Sequence, residues 1–280
     1  MLKDHILIDR IIKNALAEDL GPGDLTTDAI IGQDIIGRAV LEAREDIILA
    51  GLPVFMRVFS ILDPLVTFET FYNDGERVPA GKIVCAIKGG MAVILKAERT
   101  ALNLIQRMSG IATITSHYVE KAGSDRVKIL DTRKTAPGLR LLDKYAVPIG
   151  GGHNHRFGLY DAILIKDNHI AVAGGIRKAI EAARTKAPDG IKIEVEVEDI
   201  NGLNEAIEAR ADIILLDNMP PEQLKKAVKL VAGRALLEAS GGITIENIKE
   251  IAATGVDMIS VGALTHSVRA VDLGLEISSL

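Results

Sequence analysis

From residue 127 onward, short apolar runs alternate with amphipathic stretches, and each apolar run is followed by a charged or small residue. The apolar runs cover residues 127–130, 162–165, 191–195, 213–216, 236–239 and 258–261. Amphipathic stretches with helical spacing, such as residues 202–210 and 221–231, lie between them. Strands that alternate with helices run parallel, because each helix carries the chain back to the edge where the previous strand began. The alternation of apolar runs and amphipathic stretches therefore predicts an α/β fold with a parallel sheet.

The residues that follow the apolar runs help to distinguish between two folds with parallel strands, an open doubly wound sheet and a barrel. A doubly wound open sheet gathers its ligands at one switch point and usually has a glycine-rich first turn. A (β/α) barrel instead builds its site from the C-terminal ends of many strands. Polar or small residues follow all the runs, in the order Asp131, Lys166, Glu196, Asp217, Ser240 and Gly262. This spread favours a barrel, and because six units are visible rather than eight, we expect an incomplete one.

The first part of the chain has a different pattern of predicted helices and strands. Apolar residues recur at helical spacing over residues 6–16, and Gly21-Pro22-Gly23 is expected to stop that helix. From about residue 34 to residue 87, short β-rich runs are separated by turn residues. A long helix is predicted over about residues 92–108, with Gly110 near its end. These patterns predict a smaller α+β domain that precedes the barrel.

Composition excludes several classes of protein. The net charge of −5 argues against a nucleic-acid-binding protein, which needs a basic face. No apolar run reaches the roughly 18–20 residues of a membrane span, and the N-terminus lacks the unbroken apolar stretch of a signal peptide. The single cysteine, Cys85, lies in an apolar run, which favours a buried hydrophobe over a catalytic thiol and allows no disulfide framework. We therefore expect a cytoplasmic protein without a nucleic-acid or membrane partner.

Cationic side chains are concentrated between residues 131 and 169, although the chain as a whole is acidic. The guanidinium groups of Arg133 and Arg156 suit planar carboxylates, with which they form two parallel hydrogen bonds. Lys134 and Lys166 suit phosphate oxygens as point charges. A solvated basic face with a flexible loop is the structural alternative, which is disfavoured because these residues follow apolar strands. The region therefore indicates a site for anionic substrates.

Three histidines in the same region raise the alternative of a zinc site. His153, His155 and His169 are near one another in sequence. However, the carboxylates and the cysteine show no recurring spacing of zinc ligands, and Arg156 is adjacent. Zinc is therefore the less favoured interpretation.

Carboxylates follow the next two strands. Glu194 and Glu196 are two residues apart on one strand and so share a face, and Asp217 ends the following strand. Glu196 and Asp217 could together hold a Mg²⁺ ion that binds a pyrophosphate, or stabilise positive charge that develops on a sugar. For Glu194 there is a structural alternative, in which it lies deeper in the barrel and pairs with a buried cation.

Glycines follow the last two strands. Ser240-Gly241-Gly242 and Gly262-Ala263 have the position and composition of the phosphate-binding loops that are common in barrels. One glycine pair alone is weak support, but two at consecutive strand ends indicate a phosphate subsite.

Taken in order, the motifs of the chain resemble those of the quinolinate phosphoribosyltransferase family. They are EDLGPGDLTT at 18–27, ERTALN at 98–103, DTRKT at 131–135, GGGHNHR at 150–156, KDNH at 166–169, EVE at 194–196, LDN at 216–218 and SGG at 240–242. The resemblance covers nearly the whole chain, and the Asp-Thr-Arg-Lys and Asn-His-Arg blocks together are highly specific.

The resemblance implies a fold and a reaction. It implies an N-terminal α/β sandwich domain over residues 1–109, completed by the C-terminal tail at about 267–280, and an incomplete α/β barrel over residues 110–266. The implied enzyme is a pentosyltransferase of de novo NAD biosynthesis, which works as a homodimer or a larger homo-oligomer. It joins quinolinate to phosphoribosyl pyrophosphate, with Mg²⁺, and yields nicotinate mononucleotide, pyrophosphate and carbon dioxide.

The resemblance also implies roles for individual residues. The implied catalytic residues are Lys134, Lys166, Glu196 and Asp217, of which Glu196 and Asp217 hold the Mg²⁺. The implied substrate-binding residues are Arg99, Thr132, Arg133, His155, Arg156, Lys166, Ser240, Gly241, Gly242, Gly262 and His266. Among these, Arg133, His155, Arg156 and Lys166 line the quinolinate pocket, whereas Ser240 to Gly242, Gly262 and His266 lie at the phosphate end. Arg99 is expected to reach into the neighbouring subunit's site.

Three rival functions are considered. A paralogue of the same fold, of the kind associated with molybdenum transport, would use another pyridine or base. A different barrel enzyme would act on a sugar phosphate without pyrophosphate. A non-enzymatic ligand-binding barrel would have lost some of the strand-end charges, and none is evidently missing.

Overall fold

The computed structural model describes residues 5–32, 34–124 and 126–279. The first part of the chain forms α1 (His5–Leu20), α2 (Leu25–Ile30), β1 (Ile36–Ala43), β2 (Ile47–Ile48), α3 (Leu52–Leu62), β3 (Thr67–Thr70), β4 (Arg77–Val78), β5 (Lys82–Gly90) and α4 (Met91–Ala122). The second part forms β6 (Lys128–Leu130), α5 (Arg140–Ile149), β7 (Ile163–Ile165), α6 (Asp167–Ala173), α7 (Ile176–Lys186), β8 (Ile193–Val197), α8 (Ile200–Glu208), β9 (Ile213–Asp217), α9 (Pro221–Val231), β10 (Leu236–Ser240), α10 (Ile248–Ala252), β11 (Met258–Ser260), α11 (Ala263–His266) and β12 (Leu273–Ser279).

Contacts within the chain divide it into two compact units. The first unit consists of Met1–Ser116, Thr135–Gly151 and His266–Leu280, and the second consists of His117–Lys134 and Gly152–Thr265. This division gives residues 110–116, 135–151 and 266 to the first unit, although they lie within the range 110–266 that is expected to form the barrel domain.

The first unit is built on a four-stranded sheet in the order β12-β1-β5-β3. The pairings of β1 with β12, β1 with β5 and β3 with β5 are antiparallel, so the last strand of the chain completes a sheet that its first strands begin. Helix α3 buries an apolar face, in which the rings of Phe55 and Phe59 meet edge to face at 5.1 Å. Phe59 also contacts Phe68 of β3 at 6.0 Å between ring centroids, which joins the helix to the sheet.

Helix α4 extends well beyond its predicted end at Gly110 and continues to Ala122. The glycine serves close packing instead of ending the helix. A Cβ atom at Gly110 would lie 2.3 Å from the carbonyl oxygen of Arg269, a separation that no side chain tolerates. A glycine in a helix costs only about 1 kcal/mol relative to alanine, so the packing of α4 outweighs that propensity.

A buried ion pair joins α4 to α5 within the first unit. Arg107 donates through Nε and Nη2 to the two oxygens of Asp143, each at 2.8 Å, and the Asp143 side chain is fully buried. Asp143 Oδ2 also accepts a hydrogen bond from the backbone N–H of Ala136 at 3.2 Å. The pair therefore fixes the chain that follows the 131–135 motif.

The second unit is a six-stranded parallel sheet in the order β6-β11-β10-β9-β8-β7. Because the last of these strands in sequence, β11, pairs with the first, β6, the sheet curls round as a barrel does. On its other side, β6 makes one parallel bridge, from Leu130 to His153. Among the described residues, no strand pairing joins His153 to β7, so the barrel is incomplete. The predicted incomplete α/β barrel is confirmed.

The helices were also compared with the requirements of a bilayer. Within residues 5–32, 34–124 and 126–279, none combines sufficient length with sufficient apolar character to cross a membrane.

Candidate active site

The parallel register places the predicted polar residues on one face of the sheet. Glu194 pairs with Leu164 and Ile213, and Glu196 pairs with Leu215. Asp217 pairs with Ser240 in the same way. Paired residues in parallel strands point to the same face, and so do residues two apart in one strand. The carboxylates and Ser240 therefore share a face, with Glu196, Asp217 and Ser240 near its C-terminal edge.

Lys166 joins this edge through an ion pair. It follows β7, and its Nζ donates to Glu196 Oε2 on the neighbouring strand. The backbone N–H of Lys166 donates to His169 Nδ1 at 2.9 Å, which caps the start of α6. The KDNH motif therefore places one cation at the strand end, while its histidine satisfies the helix terminus.

The loop after β6 is held by Asp131, which is fully buried. Its Oδ1 accepts the backbone N–H of His155 at 2.8 Å, and its backbone N–H donates to the His153 carbonyl at 3.1 Å. These bonds attach the segment that carries Arg156 to the strand that leads to Arg133. Thr265 Oγ1 donates to the Lys134 carbonyl at 2.8 Å and holds the far end of the loop.

The hydrogen bond between Asp131 and the His155 backbone ties together the two segments that carry Arg133 and Arg156. Burial lowers the pKa of Arg156, and the positive charge of Arg133 lowers it further. Arg156 Nη1 donates to the carbonyl of Ala162 at 3.2 Å, which fixes its side chain. Two neighbouring cations repel each other, and an anion between them relieves that repulsion. The pair is therefore suited to a ligand with more than one negative charge.

His155 contacts two carboxyl groups inside the second unit. Its Nε2 lies 3.2 Å from Glu194 Oε2 and 3.5 Å from Glu238 Oε2. Burial opposes a charged ring, but the two glutamates raise the pKa of His155, so the ring and the carboxyl groups together hold more than one proton. However, His155 Nδ1 accepts the Arg156 N–H at 2.7 Å, so Nδ1 itself carries no proton. We therefore place one ring proton on Nε2, and the additional proton on a carboxyl group, since burial also raises the pKa of Glu194.

These contacts also bear on the zinc alternative. Among the described residues, the histidine that clusters with possible metal ligands is His155, with Glu194 and Glu238, whereas His153 and His169 do not belong to the group. His169 Nδ1 accepts the Lys166 N–H, and His153 is exposed. The three histidines that suggested zinc are therefore not brought together.

Asn218 was not among the predicted site residues, yet it holds Asp217. Its Nδ2 donates to Asp217 Oδ2 at 2.8 Å, and its backbone N–H donates to the Ser240 carbonyl at 2.8 Å. The φ angle of Asn218 is +54°, a conformation that asparagine tolerates better than most residues. A Cβ atom at Gly241 would lie 2.2 Å from Asn218 Oδ1, so the asparagine occupies the space that this glycine leaves.

Glu238 was also missed, although the sequence carried a signal. It is 1% exposed in the middle of β10, and an acidic residue within an apolar strand is rarely buried without a partner. Glu194 lies deep in the unit, as its structural alternative expected, since it is 4% exposed, but its partner is the His155 ring and not a buried cation. Arg99 and His266 belong to the first unit, and both are exposed.

The chain matches known proteins in both parts. Residues 24–109 match the family model described as quinolinate phosphoribosyl transferase, N-terminal domain, and residues 111–276 match that of the C-terminal domain. Over 275 residues the chain is 44% identical to a probable nicotinate-nucleotide pyrophosphorylase (carboxylating) of Bacillus subtilis, covering 98% of this chain and 95% of the relative. It is 43% identical over 272 residues to the nicotinate-nucleotide pyrophosphorylase (carboxylating) of Mycobacterium leprae, covering 95% of each.

A solved structure agrees with this similarity. The crystal structure of NadC from Streptococcus pyogenes has a TM-score of 0.94 with this chain at 46% sequence identity. The match covers 98% of this chain and 97% of the other.

The contact between Asn218 and Gly241 generates a stability prediction. Gly241 and Gly242 both have positive φ angles, but a Cβ atom at Gly242 would meet nothing within 4 Å. Gly242→Ala should therefore cost only the strain of the left-handed conformation, about 1–2 kcal/mol. Gly241→Ala should cost about 1–3 kcal/mol more, because it overpacks Asn218. Urea denaturation of both variants measures the difference.

The double variant Asn218→Gly/Gly241→Ala provides the control. Glycine at position 218 accepts the positive φ and removes the atoms that the added methyl group at position 241 would strike, so most of the additional loss should be recovered. Equal losses for the two single variants, or no recovery in the double variant, would show that Asn218 does not pack against Gly241 in solution.

Proposed function

The chain belongs to the quinolinate phosphoribosyl transferase family, and we propose that the strand-end residues of its second unit carry out the family's reaction. The enzyme joins quinolinate to phosphoribosyl pyrophosphate and forms nicotinate mononucleotide, pyrophosphate and carbon dioxide in NAD biosynthesis. The observation that carries the proposed location is the 2.8 Å hydrogen bond from the His155 N–H to Asp131 Oδ1, which joins the segments of Arg133 and Arg156 so that the two cations act on each other.

Quinolinate is a planar dianion, and the arginine pair suits it. A guanidinium binds a carboxylate through two parallel hydrogen bonds, and two guanidiniums match the two negative charges. The pyridine nitrogen attacks C1 of the ribose while pyrophosphate leaves. After N-ribosylation the positive charge on the ring nitrogen stabilises the electron pair that loss of CO₂ leaves at C2, and C2 then takes up a proton, so decarboxylation needs no organic cofactor. The protein has to hold the 3-carboxylate and keep the 2-carboxylate poorly solvated.

Phosphoribosyl pyrophosphate is assigned to the other strand ends. Lys134 and Lys166 supply positive charge for its phosphate oxygens, and Ser240 to Gly242 with Gly262 supply backbone donors for the 5′-phosphate. His266 is proposed to contribute at the same phosphate end. Thr132 supports the neighbouring loop, since its Oγ1 accepts the Lys134 N–H at 3.1 Å.

Glu196 and Asp217 are suited to the proposed Mg²⁺. They are half-buried carboxylates at the ends of neighbouring strands, and oxygen is the ligand atom that Mg²⁺ prefers. One oxygen of each is bonded by Lys166 or Asn218, which orients the group. Mg²⁺ held there would stabilise charge on the departing pyrophosphate. Glu196 is also proposed to stabilise the positive charge that develops on the ribose.

Because Arg133 and Arg156 are assigned to quinolinate, their replacement should affect the binding of the two substrates unequally. Arg133→Ala and Arg156→Ala should weaken quinolinate binding by about 2–5 kcal/mol, the cost of losing one partner of a desolvated charge pair. Phosphoribosyl pyrophosphate should bind almost as before. Titration of each substrate measures both affinities, and release of ¹⁴CO₂ from carboxyl-labelled quinolinate measures turnover. Arg177→Ala, on the exposed surface of the same unit, is the matched control.

Equal losses of affinity for the two substrates would contradict the assignment of the arginines to quinolinate. Unchanged affinity for both, with the protein folded, would place the quinolinate site elsewhere.

The metal assignment predicts a specific loss of Mg²⁺ dependence. The double variant Glu196→Gln/Asp217→Asn keeps the size of both side chains but removes their charge. It should abolish turnover and make phosphoribosyl pyrophosphate binding independent of Mg²⁺, while quinolinate binding stays nearly intact. Calorimetric titration with Mg²⁺ and with chelator makes the comparison. A double variant that still turns over in chelator would refute the assignment.

The proposal includes a homodimer, with Arg99 contributed by one subunit to the site of its partner, and a cytoplasmic location. Arg99 is exposed on α4, whereas its neighbours Ala97 and Thr100 are buried, so the arginine is directed away from the core. An additional cation would favour a dianionic substrate. A cytoplasmic location is supported by the single cysteine, which is buried and free.

Subunit complementation tests the contribution of Arg99. Inactive Arg99→Ala protein is mixed with inactive Lys134→Ala protein under exchange conditions. If Arg99 acts across the interface, each mixed dimer has one intact site and one site with both lesions. Activity should then return to roughly a quarter of wild type after random exchange, provided that the sites are independent. No recovery, with exchange confirmed by native mass spectrometry, would exclude a role across the interface.

A further inference from the structure

Two glutamates lie in the second unit below the strand-end residues. Glu194 is in the middle of β8, two residues before Glu196, and Glu238 is in the middle of β10, two residues before Ser240. Strand β9 separates them in the sheet. They are 4% and 1% exposed, so neither can be reached by a substrate without a change in structure. The proposed reaction assigns them no role.

Burial of these two carboxyl groups is unfavourable in free energy. Within the part of the chain that the structure describes, Glu194 Oε1 and Glu238 Oε1 are buried and have no hydrogen-bond partner. Apolar residues of similar size would avoid this desolvation cost and are often neutral or stabilising in place of buried charges. Stability therefore does not explain why two carboxyl groups occupy these positions.

The contact that both glutamates share is the His155 ring. Nε2 of His155 faces their Oε2 atoms at 3.2 and 3.5 Å. The other ring nitrogen, Nδ1, accepts the backbone N–H of Arg156 at 2.7 Å. Both nitrogens of the ring are therefore engaged by the protein itself.

The ring connects the two glutamates to the residue that is proposed to bind quinolinate. The His155 backbone is tied to Asp131, and the Arg156 backbone is tied to the ring. A rotated ring, or a proton on Nδ1, would release the Arg156 N–H and shift its guanidinium. A displacement of about 1 Å at such a group is enough to reduce activity by roughly a hundredfold.

We propose that Glu194 and Glu238 are positioning residues that hold His155 in its Nε2–H form, and that His155 thereby fixes the backbone of Arg156 in the quinolinate site. The proposal rests on the proposed function, because it assigns quinolinate to Arg156.

A cation bound by His155, Glu194 and Glu238 is the competing explanation, because one ligand atom from each lies within 4.8 Å of the others. A metal ion would need the lone pair of Nε2. The hydrogen bond that Nδ1 accepts places the ring proton on Nε2 and so removes that lone pair. The contacts therefore favour positioning over metal binding.

Substitution by glutamine and by leucine separates hydrogen bonding from packing. Glutamine retains an oxygen that accepts the Nε2–H bond, whereas leucine has a similar volume and no acceptor. Glu194→Leu and Glu238→Leu should each raise the dissociation constant of quinolinate at least about tenfold. The two glutamine variants should stay within about threefold of wild type, and Mg²⁺–phosphoribosyl pyrophosphate should bind all four equally. Glu208→Leu, in an exposed ion pair of the same unit, is the control.

The outcomes are distinguishable from failure of the proposed function. Arg156→Ala is measured alongside, and if it leaves quinolinate binding unchanged, the proposed function fails. If Arg156→Ala weakens quinolinate binding but the leucine variants do not, the positioning proposal is overturned. It is also overturned if glutamine is as harmful as leucine, because charge would then carry the effect, or if both substrates lose affinity equally.

A measurement on the wild-type protein tests the proposal even if the leucine variants do not fold. Long-range ¹H–¹⁵N correlation spectra of labelled histidine distinguish the two neutral forms of the ring, and His155→Asn identifies the signal. We expect the Nε2–H form in the wild type and in the glutamine variants. A wild-type ring protonated on Nδ1 would overturn the proposal, as would loss of the Nε2 proton on addition of Zn²⁺ or Mg²⁺ alone.

Discussion

The charged groups at the strand ends of the second unit depend on the parallel register of its strands. In parallel strands, paired residues point to the same face, and all C-terminal ends meet at one edge. Residues that are far apart in sequence, such as Lys166 and Ser240, are therefore brought to the same end. A slip of one residue in any strand would turn its polar groups outward and its apolar groups into the site.

The same register produces two layers of charged groups along the strands, one half-buried at the strand ends and one buried below it. At the strand ends, half-buried groups such as Glu196 and Lys166 pair with each other and retain access to ligands. One step deeper, Glu194 and Glu238 are buried against His155. Burial raises the cost of each charge, so the deeper groups pack against one another, whereas the outer groups keep access to substrates.

Unusual backbone positions fix the remaining side chains and close contacts. Asn218 adopts a positive φ angle that places its amide on Asp217, and Gly241 leaves the space that this amide occupies. In the first unit, Gly110 allows α4 to approach the backbone of Arg269. Glycine in the middle of a helix usually signals its end, but here the tertiary contact outweighs the local preference, which is why the predicted end of α4 was wrong.

The sequence by itself determined the alternation of strands and helices, the parallel barrel and the family, because hydrophobic periodicity and motif order are local properties of the chain. It also showed which residue types follow each strand. Only the tertiary structure decided that Glu238 joins Glu194 at His155, that Asn218 orients Asp217, and that both nitrogens of His155 face the protein. These are contacts between residues distant in sequence or between particular atoms, and no local pattern specifies the direction in which a ring or an amide points.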